Sequence, residues 1–466
     1  MGRLFTVSHD SLLEGPLLKK ITLFVIPLMI SNLLQVCYNA ADMIIVGLSG
    51  VEGAIGSIGT TNSFIHLTLN IFMGFSIGAN VVVARNIGKG DREAAEHSVH
   101  TSLLIGLFSG IICAGIGISI SRTVLAFLGD EGHILDLATL YAKIYFAGAP
   151  LLSLTNFMMA ILRAEGDTNT PLAVLTISGL CNVALNLLFV LVFHMSVDGV
   201  AWATVLSNLV SVILLGIRLM NDEGLCRVSL KKLRIHVPAM REIFREGLPA
   251  GLQGAVFSLS NMLIQSTIIG INNTVCPGGS GIIDGNAAGA SLENFAYTAT
   301  NSVYQASVTF TSQHYGARMY RRIGTVMRDC YLITFCIAFL SSAILVGFRT
   351  PLIGLYVDSE TAFRAAETRI FTNISVFELL AFMEVGSGVL RGMGKSFIST
   401  CISLTGSCLF RIAWILIVFP MFPTLRTVYL SYPLSWALTG AAHLTVSLLI
   451  RRRLIRQQEA VGGIGE

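Results

Sequence analysis

The fold is decided by a heptapeptide that occurs twice in this chain of 466 residues, as ILRAEGD at residues 161–167 and as VLRGMGK at residues 389–395. The two copies lie 228 residues apart, and at the same offset Gly88 corresponds to Gly316. This agreement indicates that the chain is built from two copies of one unit.

The two copies differ in length by a few residues. Near their starts Pro27 corresponds to Pro249 at an offset of 222, so the second copy holds six additional residues. We place them in the CPGGSG loop at residues 276–281. Residues 219–240, which are polar and basic, join the copies.

The chain is too apolar for a soluble protein of its size. Hydrophobic residues make up 53% and charged residues 12% of the sequence, and the mean hydropathy is +0.72. Soluble domains carry about twice that charged fraction. A helix that crosses a membrane needs about 20 mostly apolar residues. Twelve runs satisfy this requirement: 18–47, 55–83, 97–120, 136–161, 170–194, 199–218, 243–270, 286–312, 327–348, 366–390, 398–420 and 428–450.

We therefore predict an all-α integral membrane protein with twelve transmembrane helices in two pseudo-symmetric six-helix lobes. The expected domains are an N-terminal lobe at 1–218, a cytoplasmic linker at 219–240, a C-terminal lobe at 241–456 and a cytoplasmic tail at 457–466. Because each copy has six spans, both enter the membrane in the same direction, as in transporters whose lobes rock about a central path.

Basic residues indicate the orientation. With twelve spans, and with basic residues in the outer turns of a span assigned to the nearer side, 24 of the 31 Lys and Arg residues fall on the side of the termini and 6 on the other. Arg411 is the one that lies deep inside a span. Loops rich in Lys and Arg stay in the cytoplasm. We expect a multi-pass protein of the cell membrane with both termini cytoplasmic.

Span one carries a polar stripe that includes a carboxylate. Asn32, Gln35, Asn39 and Asp42 fall within about 80° of the helix circumference. An ionised carboxylate at membrane depth is costly, and such residues commonly bind a cation or proton. The alternative is a hydrated structural Asp near the end of the span.

Other spans carry similar stripes, which either line an aqueous cavity or join helices by hydrogen bonds. Arg411 either neutralises Glu378 or Glu384 or binds a carboxylate of a substrate. The stripes contain Asn62, His66, Asn70, Asn182, Asn186, Glu293, Asn294, Asn301, Gln305 and Glu384.

No pattern of catalytic, metal-binding or nucleic-acid-binding residues is found. The nine cysteines form no CxxC pair. The GFSIG stretch at residues 74–78 lies in an apolar helix rather than at a strand–helix turn, which excludes an esterase elbow. We expect neither a cofactor nor a metal, and no enzymatic activity.

The chain resembles the MATE family of multidrug and toxic compound extrusion transporters over essentially its whole length, and is most similar to the bacterial DinF-type branch. The resemblance rests on seven motifs in order: Pro27, DMIIVG at 42–47, ARNIGKGD at 84–91, LRAEGD at 162–167, GLPAG at 247–251, LRGMG at 390–394 and SYPLSW at 431–436.

The resemblance implies export of organic cations in exchange for protons or sodium ions. In similar DinF-type proteins the coupling cluster is an Asp on span one, an Asn and an Asp on span five and a Thr on span six. Asp42, Asn182 and Thr204 match this cluster, but Asn186 stands in place of the second Asp. A sodium site thereby loses one anionic ligand.

In the NorM-type branch the second lobe uses a Glu on span seven and an Asp on span ten. Phe257 and Leu380 occupy those positions here, which leaves Glu293 and Glu384 as spare carboxylates.

We therefore predict a monomeric antiporter, surrounded by membrane lipid, in which Asp42 carries the coupling cation beside Asn39, Asn182, Asn186 and Thr204. Pro27 is expected to let span one bend. One alternative is a flippase for lipid-linked precursors, which a cluster of basic residues in the cavity would favour. A second is an intramembrane enzyme, for which no nucleophile and base can be placed on facing helices. A third is a membrane-bound receptor or scaffold, against which the duplication argues.

Overall fold

The computed structural model describes residues 12–47, 51, 54–127 and 132–462 of the chain. The helices of the first half are α1 (Leu17–Gly47), α2 (Ala54–Lys89), α3 (Arg92–Phe127), α4 (Gly132–Ala147), α5 (Ala149–Glu165), α6 (Asn169–Leu187) and α7 (Val197–Met220). A π-helical turn at Leu188–Val192 extends α6. In the second half they are α8 (Val237–Val275), α9 (Gly281–Gly316), α10 (Tyr320–Gly347), α11 (Arg349–Gly354), α12 (Glu360–Asn373), α13 (Glu378–Gly392), α14 (Ser396–Ser403), α15 (Phe410–Ile417) and α16 (Leu425–Gly462).

These helices form the twelve predicted transmembrane spans. Within the described ranges, nine helices are long and apolar enough to cross a membrane, and two bent pairs, α4 with α5 and α12 with α13, raise the number to eleven. The twelfth span is α9, which has 36 residues but is less apolar. Most of the C-terminal half of α9 is buried in protein, so its polar residues do not face lipid.

The internal duplication is visible in how each half packs. In the first half α2 packs against α3, α4 and α5, and in the second half α9 packs against α10, α12 and α13. The fourth span of each half is bent, by 47° between α4 and α5 and by 52° between α12 and α13. Equivalent helices thus have equivalent neighbours and equivalent breaks.

The helices separate into two compact units. One contains Ile26–Ala255, and the other contains Gly15–Val25 together with residues 256–462. The first helix of each half is therefore divided between the units, near Pro27 in α1 and after Ala255 in α8. The predicted lobe boundaries at residues 218 and 241 follow the sequence repeat and stay a prediction.

The connection between α7 and α8 packs on the first unit. The backbone N–H of Ser229 donates to His100 Nε2 at 3.1 Å, and the N–H of His236 donates to Thr101 Oγ1 at 3.0 Å. Lys232 forms an ion pair with Glu96 at 2.7 Å. The connection is therefore held against α3 along much of its length.

Candidate functional site

Asp42 lies in the last two turns of α1 and is half-buried. Its Oδ1 accepts a hydrogen bond from Asn186 Nδ2 on α6 at 2.5 Å. The close approach of α1 and α6 depends on Gly179, because a Cβ there would lie 1.9 Å from the ring of Tyr38. A small residue at position 179 thus lets α6 bring its amides to the carboxylate.

A chain of polar groups leads away from Asp42. Asn186 Nδ2 also lies 3.3 Å from Asn182 Oδ1, and Asn182 Nδ2 lies 3.5 Å from Thr204 Oγ1 on α7. The Thr204 hydroxyl donates to the carbonyl of Val200 at 3.0 Å, which leaves its lone pairs facing the amides. Three helices therefore contribute to one polar cluster with a single carboxylate.

The cluster offers oxygen atoms to a cation. Asn186 Oδ1 is fully buried and has no hydrogen-bond partner among the described residues. Carboxylate, amide and hydroxyl oxygens are the ligands that hard cations prefer. A buried acceptor without a donor is costly unless a cation or proton engages it. The geometry can thus accept one proton or one monovalent cation next to Asp42.

Two tyrosines near this carboxylate were not predicted from the sequence. Tyr141 is buried and Tyr145 is half-buried on α4, with ring centroids 6.0 Å apart. Both phenols lie close enough to Asp42 to interact with it electrostatically. Their spacing of one helical turn places both on one face of α4, but the sequence does not indicate which helix that face meets.

The hydrogen bonds that define the Asp42 cluster involve none of the other predicted residues of the first half. Asn39 is exposed and makes no hydrogen bond to the described residues, and Gln35 and Asn70 are also exposed. Asn32 and Asn62 are half-buried. The side chain of His66 lies outside the described part of the structure. The roles of these residues therefore stay predictions.

In the second unit a polar ladder follows α9. Gln305 Nε2 donates to Asn301 Oδ1 at 2.9 Å, and Asn301 Nδ2 donates to the hydroxyl of Tyr297 at 3.4 Å. Asn294, two turns earlier, is exposed. Glu384 on α13 is half-buried and makes no hydrogen bond or ion pair with the described residues.

Glu293 is not a spare carboxylate, which corrects the expectation from the sequence. Its Oε2 accepts from Arg369 Nε at 2.9 Å, and Asn373 Nδ2 lies 3.5 Å away. Arg369, which the sequence placed at the outer end of span ten, is 9% exposed. Burial of both partners at one helix contact could not be recognised from hydropathy alone.

Of the two alternatives for Arg411, the pairing with Glu378 or Glu384 does not occur among the described residues. Arg411 donates instead to Ser435 Oγ at 2.9 Å, and its guanidinium carbon lies 4.3 Å from the centre of the Tyr432 ring. The same carbon lies 6.0 Å from the centre of the Phe257 ring. Aromatic rings, rather than carboxylates, surround this arginine.

Comparison with known proteins identifies the family. The MatE family model matches residues 27–188 and 249–417. The probable multidrug resistance protein NorM of Thermotoga maritima is 24% identical over 386 residues, which cover 81% of this chain and 80% of that protein. The probable multidrug resistance protein YpnP of Bacillus subtilis is 30% identical over 271 residues, which cover 57% of this chain and 59% of that protein.

Solved structures share the fold. A MATE family transporter of the MOP superfamily in an outward-facing conformation superposes with a TM-score of 0.88 at 22% identity, covering 97% of this chain and 99% of that chain. Since the family model matches one segment in each half and together these exceed half of the chain, this protein belongs to the MatE family.

Proposed function

We propose that this protein is a secondary active exporter that moves small organic cations out of the cell in exchange for protons or sodium ions. Family membership supports transport, and the relatives named above are probable multidrug resistance proteins. Alternating access between two compact units is the mode of transport that duplicated six-helix folds use.

The observation that carries the proposal is the hydrogen-bonded cluster of Asp42, Asn186, Asn182 and Thr204. One carboxylate can be neutralised by one proton or one sodium ion. Asn186 can form a hydrogen bond with Asp42 in either charge state of the carboxyl group. Its NH₂ donates to the ionised carboxylate. After a flip of the amide, its oxygen, which has no partner among the described residues, can accept from the protonated carboxyl group.

Pro27 gives α1 a place to bend. It lies inside the helix, where proline removes one backbone hydrogen bond. The Ser31 hydroxyl donates to the Pro27 carbonyl at 2.7 Å, and a serine that bonds back to the carbonyl four residues earlier often bends a helix. We infer that neutralisation of Asp42 favours bending at this point, and transport kinetics unchanged by Pro27→Ala would contradict the inference.

The proposal includes a DinF-like branch, a monomer, a location in the cell membrane and cytoplasmic termini. The excess of Lys and Arg on one side supports the orientation.

The decisive experiment uses the purified full-length chain in liposomes. A pH gradient and a sodium gradient are imposed separately, and the movement of a fluorescent cationic dye is followed. Movement under one gradient identifies the coupling ion. Absence of movement under both would refute the antiporter.

One observation favours a second candidate, a flippase for lipid-linked precursors. Arg369 and Arg411 both contact the ring of Tyr432, so the second unit holds two buried guanidinium groups together. Guanidinium groups bind phosphates well. Movement of a fluorescent lipid-linked pyrophosphate between leaflets, with no dye movement under either gradient, would establish this alternative.

A further inference from the structure

Arg411 is a buried cation with unused hydrogen-bonding capacity. The residue is 3% exposed, and its Nε donates to Ser435 Oγ at 2.9 Å. Its two terminal nitrogens have no hydrogen-bond partner among the described residues. Arginine remains protonated in proteins, so the positive charge persists in this apolar setting.

The neighbouring arginine does not share this shortage. Arg369 Nε donates to Glu293 at 2.9 Å, and its Nη1 donates to Asn286 Oδ1 at 2.7 Å. Asn286 is itself anchored by the hydroxyl of Tyr429, at 3.0 Å. Glu293 is therefore engaged by Arg369, and Arg411 has no anionic hydrogen-bond partner in the described part of the chain.

The surroundings of Arg411 are aromatic. Its guanidinium carbon lies 4.3 Å from the centre of the Tyr432 ring and 6.0 Å from the centre of the Phe257 ring. These rings hold the guanidinium plane in place by cation–π contact. They also offer a flat apolar surface next to the charged guanidinium group. This arrangement suits an aromatic molecule that bears an acidic group.

We propose that Arg411, Ser435, Tyr432 and Phe257 form a binding site in the second unit for the oxyanion group, carboxylate or phosphate, of an aromatic ligand. The terminal nitrogens of Arg411 supply two parallel donors to that group, which matches the spacing of its oxygens. If the ligand is a transported substrate, an extension that rests on the proposed function, the substrates include molecules that carry an acidic group.

The test is equilibrium binding to the full-length protein in nanodiscs of phosphatidylcholine alone. The probes are naphthalene carboxylate and the matching naphthalene carboxamide, which has the same ring without the charge. We expect the carboxylate to bind about tenfold more tightly, since a hydrogen-bonded ion pair in an apolar site contributes roughly this factor. Naphthyl phosphate should show the same advantage over naphthol.

The variants separate the site from general surface charge. Arg411→Gln should remove the preference for the carboxylate. Arg411→Lys should retain part of the preference, because lysine keeps the positive charge but lacks the two parallel donors of the guanidinium group. The matched control is Arg364→Gln, since Arg364 is exposed and paired with Glu360 at 2.6 Å. Equal binding of acid and amide to the unaltered protein would overturn the proposal, even if the Arg411 variants fail to fold.

A second arm distinguishes a free acid from a lipid headgroup. Nanodiscs that contain phosphatidylglycerol are compared with those that lack it. Loss of naphthalene carboxylate binding in the anionic lipid, together with retention of that lipid on the protein by native mass spectrometry, would identify the headgroup phosphate as the natural oxyanion. Unchanged binding would identify a free acid. Because neither arm uses an ion gradient, the result is independent of the dye transport that tests the antiporter.

Discussion

At the scale of single residues, the proposed coupling site depends on one charge. The other members of the hydrogen-bonded cluster of Asp42 are polar but uncharged: two amides and one hydroxyl. In the proposed mechanism, the Asp42 carboxylate is therefore the group of this cluster whose charge a proton or sodium ion neutralises. The amides adjust to either state because they both donate and accept hydrogen bonds.

Replacement of Asp42 by Asn should abolish dye movement driven by an ion gradient, because an amide takes up no proton at neutral pH and lacks the negative charge that attracts a sodium ion. Folding should persist, since the two amides can still form a hydrogen bond. The measurement is dye transport in liposomes at matched protein content. Asp136→Asn is the control, as Asp136 forms an exposed ion pair with Arg122 at 2.7 Å. Full transport by the Asp42 variant would transfer the role to Glu384.

Replacement of Asn186 by Asp should strengthen sodium binding. The new carboxylate would lie beside Asp42, where Nδ2 of Asn186 now lies 2.5 Å from Oδ1. A second anionic ligand raises the affinity for a hard cation, here by roughly tenfold or more. Sodium titration by calorimetry at pH 8 measures the effect. Asn169→Asp, at the exposed start of α6, is the matched control. Equal sodium affinity in both variants would show that position 186 does not face the ion.

At the scale of helices, the first unit depends on close packing of α2 against α8. A Cβ on Gly74 would lie 2.2 Å from the backbone nitrogen of Gly251, and a Cβ on Gly78 would lie 2.4 Å from the carbonyl oxygen of Ile243. Glycines four residues apart on both helices allow the backbones to approach in this way. An ion pair of Arg85 with Glu246 at 3.5 Å adds to the same contact. The GFSIG stretch, which resembled an esterase elbow in sequence, thus has a packing role.

The close packing of α2 against α8 predicts that valine has different effects on stability at two glycines of α2. Gly74→Val should destabilise the protein by about 1–3 kcal/mol, because the backbone of α8 cannot move away without loss of packing. Gly59→Val should have little effect, because a Cβ at Gly59 meets no atom within 4 Å. Thermal unfolding in detergent, read by fluorescence-detected size-exclusion chromatography, compares them. Equal melting temperatures would contradict the close crossing.

At the scale of the whole molecule, the segment between the two halves is ordered against the first unit. Asp222 accepts from Arg218 at 2.7 Å, and Cys226 is buried. Burial raises the pKa of the Cys226 thiol well above its ordinary value. The reactive thiolate is therefore scarce at neutral pH. Glu223, three residues earlier, is exposed.

This contrast gives a test of both packing and orientation. Two chains are compared: one keeps Cys226 as its single cysteine, and the other carries Glu223→Cys with all native cysteines replaced by Ala. Cys226 should react with a maleimide far more slowly than the cysteine introduced at position 223. An impermeant maleimide should label the Glu223→Cys variant in inside-out vesicles and not in intact cells. Labelling in intact cells would contradict the predicted orientation. Equal rates of maleimide reaction at positions 223 and 226 would contradict the packing of this segment against the first unit.

Much of the fold could be predicted because it depends on chemistry repeated along the chain. All twelve apolar runs became spans, and the ILRAEGD and VLRGMGK copies end equivalent helices, α5 and α13. Span four and span ten were predicted as single helices, yet each is bent. Hydropathy measures the length of apolar surface and does not record a change in helix direction.

The sequence by itself determined the membrane class and the duplication and singled out Asp42 as the candidate coupling residue, since an apolar run, a repeated motif and a lone carboxylate in a span are local properties. Only the tertiary structure decided which groups meet. It brought Asn186 to Asp42, paired Glu293 with Arg369 and surrounded Arg411 with aromatic rings. Pairing depends on helix rotation and on close approach at glycines, and both arise from packing between segments far apart in the chain.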